Sequence, residues 1–246
     1  YSIICEKFKA SMNQFYTYCL VLLSCCCFAC ANDDTTKETN TVEIQQEKMA
    51  QQAEKAPEVE RKGKPRLVFF GNSLSAGYGL SDPSQGFVGL LAQRILGARL
   101  SYQIENAGLS GETTAGGLSR IDWYLKRPID VIVIELGGND GLRGIDPYAT
   151  KQNLQGMIDK IRTKSPDTKI VLAGMEAPPN MGEEFTTRFR NLYKELAQEN
   201  DVRLIPFLLE GVAGDPSLNL PDGIHPNPAG HRKVANNVWE QLQKLL

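Results

Sequence analysis

The sequence predicts an α/β fold, a three-layer α/β/α sandwich around a five-stranded parallel sheet. From Arg66 onward, short apolar or β-branched runs alternate with longer segments of helical periodicity. The run at 131–134 (VIVI) is continuously apolar, which is typical of a strand that helices cover on both faces. Alternation of this kind with short connections implies right-handed crossovers between parallel strands.

Each expected strand is a short run rich in apolar or β-branched residues. The five runs lie at 67–70, 102–106, 131–136, 170–173 and 203–206. Five such strands would form a flavodoxin-like sheet, and ligands bind these sheets beyond the carboxyl ends of strands, where the strand order reverses. The residues that follow the strands are therefore the first candidates for a functional site.

Three longer helices are indicated by apolar residues at helical spacing. The first follows Asp146 and Pro147, which provide an N-cap and a rigid first turn. Its apolar positions fit i, i+3, i+4 and i+7: Leu154, Met157, Ile158 and Ile161. The second has the same pattern at Phe185, Phe189, Leu192, Tyr193 and Leu196. The last is expected to begin near Asn227 and Pro228 and to reach the C-terminus.

Length and composition fit one globular domain with appended sequence better than two domains. The chain has 246 residues, of which 41% are apolar and 23% charged. The formal net charge is −2 and lysine and arginine do not cluster, so the electrostatic footprint of a nucleic-acid-binding protein is missing. We therefore expect one domain at 65–246 and exclude nucleic acid as a partner.

Cysteine and histidine are distributed unevenly along the chain. All six cysteines fall within residues 1–30, which predicts a folded domain without a disulfide framework or a thiolate metal site. Histidine occurs only at 225 and 231. Any chemistry that needs an imidazole base must therefore use one of these two residues.

Residues 1–30 are expected to be an export signal. The apolar run at 19–29 is short for a membrane span and matches the core of a signal peptide. The sequence around Cys30 resembles a bacterial lipoprotein cleavage site with Cys30 as the lipidated residue, although a cysteine at 27 replaces the usual leucine. Lipidation at 25, 26 or 27, secretion without a lipid, and a buried core helix remain alternatives. We expect a periplasmic or cell-surface protein, secreted or attached to a membrane by its N-terminal lipid.

Residues 31–64 form the expected linker. The segment contains almost no large apolar residues and many of Thr, Gln, Glu and Lys. It cannot bury enough apolar surface to offset the entropy that ordering would cost. We predict a flexible polar tether between the signal and the domain.

The first strand ends in a glycine-containing turn that holds Ser73. Glycines at 71, 77 and 79 permit a tight turn and a close backbone approach, which would present the serine and its amide at the sheet edge. A phosphate-binding loop is the main competitor, but no Gly-Lys-Ser/Thr follows, and a plain turn serine is the simpler alternative. Ser73 is thus a candidate nucleophile.

Two further strand ends offer hydrogen-bond donors. Gly111, in the loop 106–114, could direct a bare backbone N–H at a developing negative charge, or simply precede a helix. Asn139 follows the third strand and could donate its side-chain amide into the cleft, or close an Asx turn. The neighbouring Asp140 is expected to cap the segment after it.

A short turn near the C-terminus pairs a carboxylate with an imidazole. Asp222 and His225 are three residues apart and are flanked by Pro221 and Pro226, so the carboxylate can accept from one ring nitrogen and leave the other free. A surface histidine with a chance acidic neighbour is the alternative. His231 lies on the apolar face of the last helix and is interpreted as a hydrogen-bonded structural residue.

Together and in this order, these segments resemble the SGNH or GDSL hydrolase family over about residues 66–246. The stretches 70–79 (FGNSLSAGYG), 135–144 (ELGGNDGLRG) and 222–227 (DGIHPN) are similar to its branch of bacterial arylesterases, acyl-CoA thioesterases and lysophospholipases. One departure is Asn72, where the usual family block has Asp before the serine. This position is not the triad acid, so the change concerns hydrogen bonding within the turn rather than catalysis.

The resemblance implies the SGNH hydrolase fold and a serine esterase with a catalytic triad of Ser73, Asp222 and His225 and oxyanion donors at Gly111 and Asn139. It implies small acyl esters, thioesters or lysophospholipids as substrates, and no metal or organic cofactor. The acyl group is expected between the loops 141–145 and 176–185. Two alternatives remain: a carbohydrate acetyl-esterase with the same triad, and a non-catalytic acyl-binding lipoprotein on the same fold.

Overall fold

The structure, a computed structural model, describes residues 63–246. The predicted export signal at 1–30, the lipidation at Cys30 and nearly all of the linker at 31–64 lie outside the described residues, so they stay predictions. Between residues 63 and 246, no helix is long and apolar enough to cross a membrane.

In this part of the chain, five parallel strands form one sheet. They are β1 (Arg66–Gly71), β2 (Gln103–Gly108), β3 (Val131–Glu135), β4 (Lys169–Ala173) and β5 (Arg203–Ile205). Their order across the sheet is β2-β1-β3-β4-β5, and every neighbouring pair is parallel. The order reverses at β1, so the carboxyl ends of β1 and β3 border the position where such sheets bind ligands.

Helices cover both faces of the sheet. They are α1 (Ser73–Ala76), α2 (Phe87–Gly97), α3 (Thr114–Tyr124), α4 (Gly138–Leu142), α5 (Pro147–Lys164), α6 (Glu183–Glu199) and α7 (Pro228–Leu242). Short 3₁₀ turns occur at Pro83–Gln85 and Pro179–Met181. Helix α2 packs against α7, whereas α3 and α6 both pack against α5. These two groups form the outer layers, as right-handed crossovers require, and the predicted three-layer sandwich is confirmed.

The central strands are buried on both faces. Every residue of β1 and β3 is buried, which explains why their sequences are apolar runs without the alternation of a half-exposed strand. The edge strand β2 is partly exposed along its length. The helices complete the core, and their largest fully buried side chains are aromatic: Tyr193, Phe87 and Phe189.

Every predicted strand and helix is present in the structure, with differences at the ends. All five predicted strands are present, with ends that differ by one or two residues, and the three predicted helices are α5, α6 and α7. Helix α7 ends at Leu242 rather than at the C-terminus. Sequence analysis did not identify α2, although the helix buries an apolar face. Gly89 and Gly97 weaken its helical pattern, because glycine has a low helix propensity.

Candidate active site

Ser73 lies in the tight turn where β1 ends. Asn72 is the N-cap of α1, and its Oδ1 accepts a hydrogen bond from the Leu74 N–H at 3.0 Å. An aspartate would supply the same acceptor, so the turn tolerates this departure from the family block. The single helical turn ends at Gly77, whose φ of 74° is left-handed and favours glycine. Ser73 has 8% of its surface exposed, so it is largely shielded from bulk water.

Asp222 and His225 are held on one turn by hydrogen bonds between them. Asp222 Oδ1 accepts from the backbone N–H groups of Ile224 at 2.9 Å and His225 at 3.0 Å, and Oδ2 accepts from His225 Nδ1 at 2.7 Å. The His225 N–H, its imidazole and the Ile224 N–H lower the pKa of Asp222 to about 2. The carboxylate is therefore ionised at neutral pH and favours the ring tautomer with its proton on Nδ1.

The imidazole connects the first strand with the final turn. His225 Nε2 lies 2.9 Å from Ser73 Oγ, although the two residues are 152 positions apart in the chain. With its proton on Nδ1, the ring can accept the Ser73 hydroxyl proton at Nε2. The structure thus brings together the three residues predicted for the triad, hydrogen-bonded in the order Asp222, His225, Ser73.

The Tyr78 ring covers the imidazole on one side. The centroids of the Tyr78 and His225 rings are 4.5 Å apart, and their planes are inclined by 42°. Tyr78 is itself exposed, so it forms part of the rim of the site. Sequence analysis did not single out this residue. The one available signal is its place in the same glycine-rich turn as Ser73.

The loops after β2 and β3 are joined by hydrogen bonds that involve both predicted oxyanion residues. Asn139 Nδ2 donates to the Glu112 carbonyl oxygen at 2.9 Å. Gly111 has a φ of 81°, and its carbonyl oxygen accepts from Arg143 Nη2 at 3.0 Å. Gly111 and Asn139 therefore lie in one connected pair of loops at the carboxyl edge of the sheet.

Two backbone donors are available at this edge of the sheet. Within the described part of the chain, the N–H groups of Ser73 and Gly111 have no hydrogen-bond acceptor. The Leu109 N–H donates to the Gly71 carbonyl oxygen at 2.9 Å, which ties the Gly111 loop to the Ser73 turn. Ser73 is buried whereas Gly111 is exposed, and both N–H groups are available to bind an anionic oxygen.

Asp140 binds the first turn of α3, whose N-cap is Thr113, and does not cap the segment that follows it. Its carboxylate accepts from the Thr114 N–H at 2.9 Å and from Thr114 Oγ1 at 2.5 Å, at the N-terminus of α3. The prediction for this residue is wrong because the following helix, α5, already has an N-cap. Asp146 accepts there from the Tyr148 N–H at 3.0 Å.

Sequence analysis also missed an ion pair at the base of the Gly111 loop. Glu112 pairs with Arg120, and both side chains are largely buried. Arg120 Nη2 also donates to the Ala107 carbonyl oxygen at 2.8 Å, and its guanidinium lies 4.0 Å from the centre of the Phe70 ring. The pair joins the loop to the ends of β1 and β2, but its spacing in the sequence matches no motif.

His231 is not part of the hydrogen-bonded line. Its Nδ1 accepts from the Phe87 N–H at 3.2 Å, and its ring stacks on that of Phe87. Burial lowers the pKa of His231 to about 4, with a smaller contribution from the charge of His225, so the ring is neutral at pH 7. This arrangement agrees with the interpretation of His231 as a structural residue.

The chain matches a known protein family. The model of the GDSL-like lipase/acylhydrolase family matches residues 69–233, a segment that contains every residue of the hydrogen-bonded line. The chain belongs to this family. Its predicted resemblance is thereby confirmed.

Relatives of this GDSL-family chain include named esterases. Esterase TesA of Pseudomonas aeruginosa is 42% identical over 73% of this chain and 89% of its own. Thioesterase 1/protease 1/lysophospholipase L1 of Escherichia coli K12 is 36% identical over 73% of this chain and 84% of its own. The crystal structure of AlinE4, an SGNH-hydrolase family esterase, is similar with a TM-score of 0.61 and 37% identity, over 74% of this chain and 97% of AlinE4.

These findings confirm the predicted enzyme class, a serine hydrolase of carboxylic esters. They do not favour the alternative of a non-catalytic acyl-binding protein.

A surface cavity of about 580 Å³ lies at the opposite edge of the sheet, beside the starts of β4 and β5. None of the five predicted site residues lines this cavity.

Proposed function

We propose that Ser73 is the nucleophile, His225 the general base and Asp222 the group that orients His225 during hydrolysis of acyl esters and thioesters. The observation that supports this most is the hydrogen-bonded line, with 2.9 Å from His225 Nε2 to Ser73 Oγ and 2.7 Å from His225 Nδ1 to Asp222 Oδ2. A serine hydroxyl is a weak nucleophile at neutral pH and needs such a base. Asp222 stabilises the imidazolium that forms when the proton moves.

Attack of Ser73 on the substrate carbonyl would place a negative charge on the former carbonyl oxygen. We propose that the N–H groups of Ser73 and Gly111 and the side-chain amide of Asn139 bind this oxyanion. Asn139 Nδ2 carries two N–H groups and donates one of them to Glu112, which leaves the other for the substrate. Each such donor is worth on the order of 100- to 1,000-fold in rate. Water, activated by His225, then cleaves the acyl-enzyme.

The proposed substrates are small acyl esters, acyl thioesters and lysophospholipids. Apolar side chains are exposed beside the site, including Leu142 in α4 and Ile224 next to His225, and such surfaces suit acyl chains. We propose that the acyl group lies between the loops 141–145 and 176–185. A panel of p-nitrophenyl esters of rising chain length, an acyl-CoA, a lysophospholipid and an acetylated sugar tests this. Preference for the acetylated sugar would instead support a carbohydrate acetyl-esterase.

Covalent labelling tests the nucleophile directly. We expect a fluorophosphonate probe to modify the wild-type protein once, at Ser73, and to inactivate it. Ser73→Ala should lose both labelling and turnover while its circular dichroism and melting temperature stay close to wild type, because the hydroxyl is a small part of the turn. Unchanged turnover in Ser73→Ala would refute the assignment.

We further propose that the protein acts outside the cytoplasm, in the periplasm or at the cell surface, as a secreted or lipid-anchored enzyme. The support is the sequence alone, namely the apolar run at 19–29 followed by Cys30. Metabolic labelling with an alkyne palmitate in a bacterial host tests the lipid, with Cys30→Ser compared with Cys27→Ser. Labelling that survives only in Cys27→Ser would support Cys30, and no labelling of the wild type would exclude a lipid.

A further inference from the structure

Glu135, the last residue of β3, lies directly beneath the turn that holds Ser73. Its side chain is completely buried. Its Oε2 accepts three hydrogen bonds, from the Asn72 N–H at 3.1 Å, the Ser75 N–H at 3.1 Å and the Ser75 hydroxyl at 2.7 Å. All three donors belong to residues that flank Ser73, one position before it and two positions after it.

The Glu135 carboxylate also lies close to the backbone of the turn. A Cβ added to Gly71 would overlap both Glu135 Oε2 and Ser75 Oγ, so only glycine leaves room for the carboxylate at this point. The strand pairing places Gly71 of β1 next to Glu135 of β3. The end of β1 and the end of β3 are therefore joined through one side chain.

The second carboxylate oxygen shows that this arrangement costs stability. Among the described residues, Glu135 Oε1 is a buried side-chain atom without a hydrogen-bond partner. A buried polar atom without a partner is unfavourable, and an apolar residue of similar volume would avoid the cost. A buried polar atom of this kind needs an explanation beyond packing. The three hydrogen bonds that Glu135 Oε2 accepts from the Ser73 turn provide one.

We propose that Glu135 is a positioning residue for the hydrolysis reaction, which fixes the turn on both sides of Ser73 so that the hydroxyl points at His225 Nε2. The inference rests on the proposed role of Ser73 as nucleophile. Within residues 63–246, the Ser73 side chain has two hydrogen bonds, one with His225 Nε2 at 2.9 Å and a long one to Asn72 Oδ1 at 3.4 Å. The direction of its hydroxyl therefore depends on the backbone that Glu135 holds.

The three hydrogen bonds also determine where the Ser73 N–H points. Glu135 binds the N–H groups of Asn72 and Ser75 and leaves that of Ser73 between them without an acceptor in the described structure. Release of the turn would change the nucleophile and one oxyanion donor together. A displacement of about 1 Å at a reacting group costs on the order of 100-fold in rate.

A purely structural role makes a different prediction. If Glu135 only filled space, its loss would lower the amount of folded enzyme but leave kcat per folded site unchanged. We would therefore count active sites by complete fluorophosphonate labelling and intact mass, and divide the measured rate by that count. The rate constant of labelling is a second readout, because phosphonylation needs an aligned Ser73 hydroxyl but no acyl pocket.

The experiment compares Glu135→Ala, Glu135→Gln and Ser75→Ala with the wild type. We expect Glu135→Ala to lower kcat per titrated site about 100-fold with KM changed less than threefold, because the turn loses all three acceptor contacts. Glu135→Gln retains an acceptor oxygen and should lose roughly tenfold or less, since a neutral acceptor is weaker than a carboxylate. Ser75→Ala removes one of the three hydrogen bonds and should fall between the wild type and Glu135→Ala.

Ile161→Ala is the matched control. Ile161 is fully buried near the end of α5, where the chain leads towards the start of β4, the opposite edge of the sheet from the Ser73 turn. Truncation of a buried isoleucine leaves a cavity and therefore costs stability. Its kcat per titrated site should equal that of the wild type. A kcat per titrated site in Glu135→Ala equal to that of the wild type would overturn the proposal. If Glu135→Ala does not fold, wild-type values in both Glu135→Gln and Ser75→Ala would overturn it. Failure of the wild type to label at Ser73 would instead refute the proposed function.

Discussion

Asp222 accepts three hydrogen bonds from its own turn, and all three favour the charged carboxylate. Its pKa of about 2, lowered first by the His225 N–H, keeps it ionised throughout the pH range in which an imidazole titrates. The acid side of the pH–rate profile is therefore not expected to report the protonation of Asp222.

Asp222→Asn should lower kcat by about 10⁴-fold while the protein stays folded. The amide keeps an oxygen for the Ile224 and His225 N–H groups, but its NH₂ group then faces His225 Nδ1 and favours the ring proton on Nε2. A ring protonated at Nε2 cannot accept from Ser73. Steady-state kinetics with a p-nitrophenyl ester would measure the loss.

Asp215→Asn is a suitable control for that variant. Asp215 Oδ1 closes a similar turn, in which it accepts from the Ser217 N–H at 2.9 Å and the Ser217 hydroxyl at 2.6 Å, with no imidazole involved. Its kcat should stay at the wild-type value. A kcat of Asp222→Asn within tenfold of the wild type would show that the imidazole does not depend on Asp222.

Residues that follow strands could be predicted from the sequence, because parallel sheets bind ligands at one edge. Ser73 and Asn139 were found in this way, and the spacing of Asp222 and His225 indicated a turn. Glu135 could not be assigned a role, although a lone carboxylate after four apolar residues marks it as unusual. Its role depends on which donors face it in the folded chain, and periodicity does not contain that information.

At the scale of elements, Asn227 links the last helix, α7, to the loop before the turn that carries His225. Asn227 is its N-cap, and Oδ1 accepts from the N–H groups of Ala229 at 2.9 Å and Gly230 at 3.1 Å. Asn227 Nδ2 donates in the other direction, to the Ser217 carbonyl oxygen at 2.8 Å. One side chain therefore begins the helix and anchors the loop before the turn.

Asn227→Ala should lower the free energy of unfolding by about 1–2 kcal/mol, because the helix loses its cap and the loop loses its anchor. Urea denaturation followed by circular dichroism would measure the change. Asn227→Asp keeps the cap acceptor but loses the donor, so it should be intermediate. Equal stability of the wild type and Asn227→Ala would mean that Pro228 alone suffices to begin the helix.

At the scale of elements, the sequence predicts most where burial is most extreme. Strands β1 and β3 are buried along their whole length and read as continuous apolar runs. The ends are less predictable: Leu136 lies beyond β3, because the chain turns at Gly137 with a φ of 111°. A Cβ at Gly137 would overlap the Tyr193 hydroxyl, a constraint that arises only from packing of α6.

For the whole molecule, two buried groups respond to pH in opposite directions. Burial raises the pKa of Glu135 to about 7, so its contribution to stability is complete below pH 4.5 and is lost as pH rises through 7. Burial lowers the pKa of His231 to about 4, so its contribution is complete above pH 6.5 and is lost as pH falls through 4. Of the ionisable groups near Glu135, Tyr193 stays neutral because burial raises its pKa, with Asp140 and Glu135 contributing.

Between pH 4.5 and 6.5, the changes in free energy of unfolding that Glu135 and His231 cause have opposite signs and should nearly cancel in the wild type. Glu135→Gln removes one of them, so its free energy of unfolding should rise by about 3 kcal/mol across this range as His231 becomes neutral in the unfolded chain. Above pH 7 the variant should be more stable than the wild type by a similar amount. Urea denaturation at pH 5, 6, 7 and 8 would measure both effects, and parallel curves for the two proteins would contradict them.

The hydrogen bond between His225 and Ser73 joins residues 152 positions apart. During translation, Ser73 leaves the ribosome long before His225 has been synthesised. A nascent chain that stops before the final turn contains the proposed nucleophile, Ser73, without the imidazole that we propose activates it. With the proposed roles of Ser73 and His225, we expect hydrolytic activity only once the turn that carries His225 has been made and has packed beside Ser73, so that enzyme turnover reports the joining of the two ends of the domain.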